Sequence, residues 1–130
     1  IQTIQAMREA ESYPGPSLII AYSHCIAHGY DLQYGLDQQK RAVESGIRPL
    51  YRYDPRRAAQ GEPPLLLDAR GGAVPVREYL SNETRFRMIE KMDPARFRRL
   101  SRDAQQATAR RVALYEHMAN LRIPAMETSS

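Results

Sequence analysis

A single cysteine, Cys25, stands in this chain of 130 residues. Its setting is Ser23-His24-Cys25-Ile26-Ala27-His28-Gly29. Three chemistries suit a thiol in that company. A lone cysteine after an apolar tract is usually a small buried hydrophobe. A nearby imidazolium lowers a thiol pKa and would make Cys25 a nucleophile. A thiolate is also a ligand for soft metal centres. The nucleophile reading is weakened by geometry. Adjacent side chains on an extended segment point opposite ways, so His24 faces away from Cys25. His28 reaches back only if the chain turns, and no third orienting residue is identifiable. The metal reading is limited by number. A structural zinc or a [4Fe–4S] cluster typically needs about four ligands, whereas the chain offers one Cys and three His, with His117 far along the terminal helix. Cys25 alone cannot hold a cluster. It can donate one ligand to a cluster whose other ligands come from elsewhere.

Other familiar constellations are absent from the sequence. No phosphate loop, dinucleotide fingerprint or kinase signature occurs. Glu9 and Glu11 lie two apart on a helix and face different directions, so they make no carboxylate pair. The net charge of +4 is carried mostly by arginine. Arg85, Arg87, Arg96, Arg98, Arg99, Arg102, Arg110 and Arg111 cluster late. Such a cluster attracts nucleic acid or an acidic protein. Here it is interleaved with Glu and Asp and lacks interleaved aromatics, so it reads as a solvated helix face without nucleic-acid binding. No apolar run approaches the roughly 20 residues of a membrane span, and no secretory signal is present. One cysteine excludes an internal disulfide framework and suits a reducing, cytoplasmic compartment. The first residue is not Met, and the chain reads as part of something longer.

The elements that must position Cys25 follow from periodicity. Residues 1–12 read as the end of a helix, with Ile4 and Met7 on one face, stopped by Pro14-Gly15-Pro16. The tract Ser17-Leu18-Ile19-Ile20-Ala21-Tyr22 is continuously apolar and β-branched, as in a strand covered on both faces of a parallel sheet. Helix, turn and buried strand make half of a βαβ unit, and ligands in such sheets collect beyond the strands' carboxyl ends, where Cys25 falls. Residues 35–45 predict a helix with Leu36, Ala42 and Val43 as its apolar contribution and Gly46 at its C-terminus. Short strands are expected at 50–53 and 65–67, separated by a polar loop over 56–63 and followed by a Gly71-Gly72 turn. Residues 76–91 read as one helix. Asp93-Pro94 caps the next, with Pro at the first helical position. Phe97, Leu100, Ala104, Ala107, Leu114, Met118 and Leu121 step by three and four as its packing stripe, interrupted at Arg111. Residues 126–130 read as a frayed tail. The fold expected is α/β with about three strands over 1–75 and a helical C-terminal extension over 76–130, packed as one unit.

The segment Gly15-Pro16-Ser17-Leu18-Ile19-Ile20-Ala21-Tyr22-Ser23-His24-Cys25-Ile26-Ala27-His28-Gly29 resembles the end of the thiamine diphosphate-binding domain of pyruvate:ferredoxin (flavodoxin) oxidoreductases. Further matches follow in order: Gln38-Gln39-Lys40, Ala42-Val43-Glu44-Ser45-Gly46, Pro49-Leu50-Tyr51-Arg52-Tyr53-Asp54-Pro55, Pro64-Leu65-Leu66-Leu67-Asp68, Tyr79-Leu80-Ser81-Asn82-Glu83-Thr84-Arg85-Phe86 and Leu114-Tyr115-Glu116. The resemblance covers nearly the whole chain. It implies a homodimeric enzyme that converts pyruvate and coenzyme A to acetyl-CoA and CO₂. It further implies thiamine diphosphate with Mg²⁺ and [4Fe–4S] clusters that pass electrons to ferredoxin or flavodoxin. It implies, finally, that Cys25 is the distant fourth ligand of the cluster nearest the thiamine. The family's Gly-Asp-Gly…Asn thiamine motif has no match here, and the other three cysteines of that cluster are missing. The chain is therefore expected to act only within the full-length oxidoreductase. The rival reading is a standalone α/β module that binds an acidic partner through its Arg-rich helices.

Overall fold

The computed structural model describes residues 1–122; the tail expected at 126–130 lies outside them. Its helices are α1 (Gln2–Ser12), α2 (Gly35–Glu44), α3 (Val76–Leu80), α4 (Thr84–Met92) and α5 (Pro94–Asn120), with strands β1 (Tyr51–Tyr53) and β2 (Leu65–Leu67). Short 3-10 turns occupy Ile26–His28, Leu32–Tyr34 and Pro55–Gln60. The fold is α/β and mostly helical. Its sheet is a two-stranded antiparallel hairpin, with Tyr51 opposite Leu67 and Tyr53 opposite Leu65. The turn Pro55–Gln60 joins the strands in place of the expected loop. Asp54 starts it by accepting the Arg56 N–H at 2.9 Å, and Gly61 ends it at φ 72°.

The third expected strand is not formed. Residues 17–22 form no helix or strand, and none of their backbone groups bonds another backbone group among the described residues. A strand exists only by pairing, and β1 and β2 pair with each other elsewhere. Leu18 and Ile20 therefore stand 84% and 80% exposed. The half βαβ unit and the parallel sheet are corrected with it.

The core gathers Ala42 of α2, Val76, Tyr79 and Leu80 of α3, and Phe97 of α5. Tyr22, Ile47, Phe86, Ile89 and Ala104 pack around these residues. In α2 the buried positions are Gly35, Gln38 and Ala42, and Leu36 points to solvent. Gly46 closes α2 in the left-handed region at φ 81°, which glycine adopts without steric cost. The expected Gly71-Gly72 turn lies against that end, and the Gly72 N–H donates to Glu44 O at 2.8 Å. A Cβ on Gly71 would stand 2.3 Å from the Gly46 Cα. The approach of the two backbones thus depends on the missing side chain.

Residues 76–91 are not one helix. The chain breaks at Ser81-Asn82-Glu83 and restarts as α4. Ser and Asn compete for backbone hydrogen bonds and favour helix ends; here the Ser81 hydroxyl donates to Arg77 O at 2.8 Å. α5 begins as expected, with Pro94 at its first position and the Asp93 side chain accepting the Arg96 N–H at 2.8 Å. Its packing stripe, however, is offset from the expected one. Phe97, Ser101 and Thr108 are buried and Val112 half-buried, while Leu100, Leu114 and Leu121 are exposed. Thr108 and Val112 meet the close backbones of Gly46 and Gly71; a Cβ on Gly46 would stand 3.1 Å from the Thr108 Cγ2 and 2.8 Å from the Val112 Cγ2. Arg111, the apparent fault in the stripe, donates to Gly46 O at 3.1 Å and Ile47 O at 2.9 Å. It thereby satisfies two carbonyls of the turn just beyond α2.

α1 buries no residue and is held by polar contacts. Arg52 of β1 grips both Asp68 oxygens, at 2.7 to 3.0 Å, and also pairs with Glu9 of α1. Gln2 donates to Asp68 at 2.9 Å. Burial pushes the Asp68 carboxyl up, but the hydrogen bonds from Arg52 and Gln2 and the guanidinium charge outweigh it, so Asp68 titrates below its usual range. Its side chain is 10% exposed. Arg52→Met leaves that carboxylate nearly buried and unpaired, and the expected loss is about 2–3 kcal/mol in urea denaturation. Because the folded pKa is depressed, this contribution is full above a pH of about 4 and fades as pH falls through the lowered value. Arg52→Met should therefore flatten the acid limb of the stability curve.

Candidate functional site

Cys25 is an exposed free thiol. It sits at the start of the Ile26–His28 turn, and its carbonyl accepts the His28 N–H at 3.0 Å. Gly29 closes the turn at φ 72°. A Cβ there would lie 2.7 Å from the Thr84 Cβ, so only glycine lets the loop approach α4. The inert, buried reading of Cys25 does not hold in this chain.

The two histidines beside it are engaged elsewhere. The His24 ring packs over Gly35 at the start of α2, about where a Cβ would come within 3.0 Å. The His28 ring lies parallel to Tyr22, with centroids 6.5 Å apart. The Nδ1 atoms of both are buried and make no hydrogen bond among the described residues. His28 Nδ1 faces Glu83 Oε1 at 3.9 Å, just beyond hydrogen-bond range. The Cys–His nucleophile pair therefore has no geometric support. His117 lies far off in the last turn of α5, exposed to solvent.

Glu83 is the residue the sequence reading missed. Its side chain is fully buried, at the break between α3 and α4. A buried carboxylate is costly unless it is paired and hydrogen-bonded, and Glu83 is both. Arg85 Nε donates to Oε2 at 2.6 Å and Gln38 Nε2 to Oε1 at 3.2 Å. Gln38 also donates to Tyr79 O at 3.0 Å and accepts from Asn82 at 3.1 Å. Burial, the hydrogen bond with Tyr22 and the nearness of Glu83 push the Tyr79 phenol far above its ordinary pKa, so it remains a neutral hydroxyl. Burial, followed by Tyr22, Glu83 and Cys25, pushes Tyr30 up too. The available signal was Ser81-Asn82-Glu83-Thr84, a run of helix-ending residues inside an apparent helix.

The loop bearing Cys25 is consequently held on both sides. Before the cysteine, Tyr22 meets the Tyr79 hydroxyl at 3.0 Å and carries Arg48 over its ring at 4.2 Å. After it, Gly29 O accepts the Thr84 N–H at 3.0 Å and also the Thr84 hydroxyl. Between these anchors the thiol faces outward. No group of three His, Cys, Asp or Glu able to hold a metal ion occurs among the described residues. An exposed thiol on a braced turn suits one ligand donated to a centre assembled with residues outside the chain. It does not suit a self-contained site. Among the described residues, no helix is long and apolar enough to cross a membrane. Among the described residues, three of the clustered arginines have structural partners: Arg85 pairs with Glu83, Arg87 donates to the Thr84 hydroxyl at 2.9 Å, and Arg111 holds the carbonyls just beyond α2.

Sequence comparison defines the class of protein to which this loop belongs. The chain is 52% identical over 120 residues to pyruvate-flavodoxin oxidoreductase of Rhodospirillum rubrum. It is 46% identical over 118 residues to the probable pyruvate-flavodoxin oxidoreductase of Escherichia coli K12. It is 39% identical over 118 residues to pyruvate:ferredoxin oxidoreductase of Moorella thermoacetica. These matches cover 91–92% of the chain but 10% of each relative, so the chain spans about a tenth of the length of the curated relatives it matches. No protein-family model matches the chain. The chain belongs to the pyruvate-flavodoxin oxidoreductase family and matches one segment of those longer enzymes.

Proposed function

We propose that this segment supplies one thiolate, from Cys25, to a [4Fe–4S] cluster of a full-length enzyme. That enzyme oxidatively decarboxylates pyruvate with coenzyme A to acetyl-CoA and CO₂. The observation that carries the reading is an exposed thiol on a loop braced at both ends. The names and identities of the relatives support the reaction class. When bound, the cluster accepts and passes on single electrons, and thiamine diphosphate with Mg²⁺ supplies the carbanion chemistry. The part of this chain is narrower: it presents a sulfur ligand at a fixed place, between imidazoles that pack against Gly35 and Tyr22. In this reading, residues 1–75 end a thiamine diphosphate-binding α/β domain and residues 76–130 form a helical extension that braces it. The tract 17–22 gains its sheet partner from the remainder of the polypeptide. The whole enzyme is a cytoplasmic homodimer that delivers electrons to ferredoxin or flavodoxin.

Differential alkylation tests the ligand assignment. In the intact full-length enzyme Cys25 should resist iodoacetamide, because its sulfur is bonded to iron. After chelation and oxidation strip the clusters, the same residue should alkylate rapidly, since nothing in the chain buries it. Equal alkylation before and after stripping would refute the assignment.

A further inference from the structure

The corner between α3 and α4 performs a task beyond packing. Tyr79, Glu83 and Thr84 lie within six residues of one another; Tyr79 reaches the loop before Cys25, and Glu83 and Thr84 reach it after. Tyr79 holds Tyr22, three residues before the cysteine. Thr84 holds Gly29, four residues after it. Glu83 stands between them with its carboxylate fully buried and turned toward His28. Glu83 follows Val76, Tyr79 and Leu80 at helical spacing, so it lies on the face that α3 buries, and the carboxylate is carried inward with them.

We infer that the α3–α4 corner is a clasp that sets the position of the Cys25 sulfur, with Glu83 as its central positioning residue acting through His28. The inference rests on the reading of Cys25 as a cluster ligand and adds the residues that aim it. Three features support it. A fully buried carboxylate is an expensive way to fill space, and an apolar side chain would fill the volume at lower cost. Arg85 and Gln38 hold its two oxygens, and Gln38 is itself fixed by Tyr79 O and Asn82, which leaves Glu83 little freedom to move. The loop itself contributes little to the core: Cys25, Ile26 and Ala27 are exposed and the turn holds no buried residue. Without the clasp, the loop would keep only the holds before the turn, from Gln39 and Arg48 on Tyr22 and from the seat of His24 on Gly35, and its far end would be released. Supporting residues of this kind typically change metal affinity about 10–100-fold when lost.

The test uses the full-length enzyme and readouts other than turnover. Glu83→Gln keeps the shape but removes the charge. It should lose most of the electron paramagnetic resonance signal and iron of the cluster bound by Cys25, while signals from the other clusters keep their intensity. Amide exchange over 22–30 should quicken on the order of tenfold. Glu83→Asp, which keeps the charge, should recover part of the signal. Tyr79→Phe and Thr84→Val each remove one anchor and should give smaller losses in the same direction. They also decide the matter if Glu83→Gln does not accumulate. Wild-type cluster signal, iron and exchange in Glu83→Gln, or in both single-anchor variants, would overturn the clasp. Cys25→Ser separates this failure from that of the underlying reading. Intact cluster signals in Cys25→Ser would sink the ligand assignment itself. Loss in Cys25→Ser with none in the clasp variants would sink only the clasp.

Discussion

Cys25→Ser in the full-length enzyme is expected to lose one cluster and to lower electron delivery to ferredoxin or flavodoxin at least about 100-fold. Serine keeps the shape of the side chain but not its chemistry. Its hydroxyl is far harder to ionise than a thiol, and its hard oxygen is a poor match for iron that sulfur ligands otherwise surround. The effect should be confined to the cluster. Cys25 is exposed and makes no core contact, and surface substitutions usually change stability by no more than about 0.5 kcal/mol. A folded enzyme with reduced iron content and one missing paramagnetic signal is thus the expected result. Unchanged iron and signals would show that the fourth ligand comes from elsewhere.

The parts of this arrangement that could be read from the sequence are the local ones. β1, β2, α2 and the start of α5 follow from turn residues, caps and short apolar runs, whose causes lie within a few residues of their effects. The Asp93-Pro94 start of α5 is of this kind. What escaped depends on contacts distant in sequence. The packing stripe of α5 takes in Thr108 and Val112 because these two side chains face the Gly46–Gly71 crossing, whose backbones are remote in sequence. Arg111 reads as a fault in an apolar pattern until the open carbonyls of Gly46 and Ile47 come into view, more than sixty residues earlier. Glu83 looks like one more charged residue on a basic helix. Its spacing from Val76, Tyr79 and Leu80 puts it on their buried face, but Gln38, the partner that makes burial tolerable, lies far away in sequence. Cys25 was singled out by its neighbours and by resemblance, but the His24–Cys25–His28 grouping suggested a mutual interaction that the fold does not make.

The tract 17–22 yields the second large effect, because pattern and structure disagree there. A continuous β-branched run is the signature of a strand buried on both faces. In this chain Leu18, Ile19 and Ile20 are 84%, 50% and 80% exposed and have no strand beside them. Fully burying a Leu or Ile side chain is worth about 1.5–3 kcal/mol, so a tract of this composition left in water forgoes several kcal/mol. If the remainder of the oxidoreductase covers it, Ile20→Asp should have opposite consequences in the two settings. In the 130-residue chain the new carboxylate meets solvent, and the urea midpoint should move by no more than about 0.5 kcal/mol equivalent. In the full-length enzyme the same carboxylate would enter a dry sheet without a partner. A cost of roughly 3 kcal/mol or more should then appear as lost soluble yield and a lower thermal midpoint. A full-length enzyme that tolerates Ile20→Asp would mean that residues 17–22 remain solvated in the assembly. The exposed run before Cys25 would then be a surface feature, and the braced loop alone would have to place the thiol.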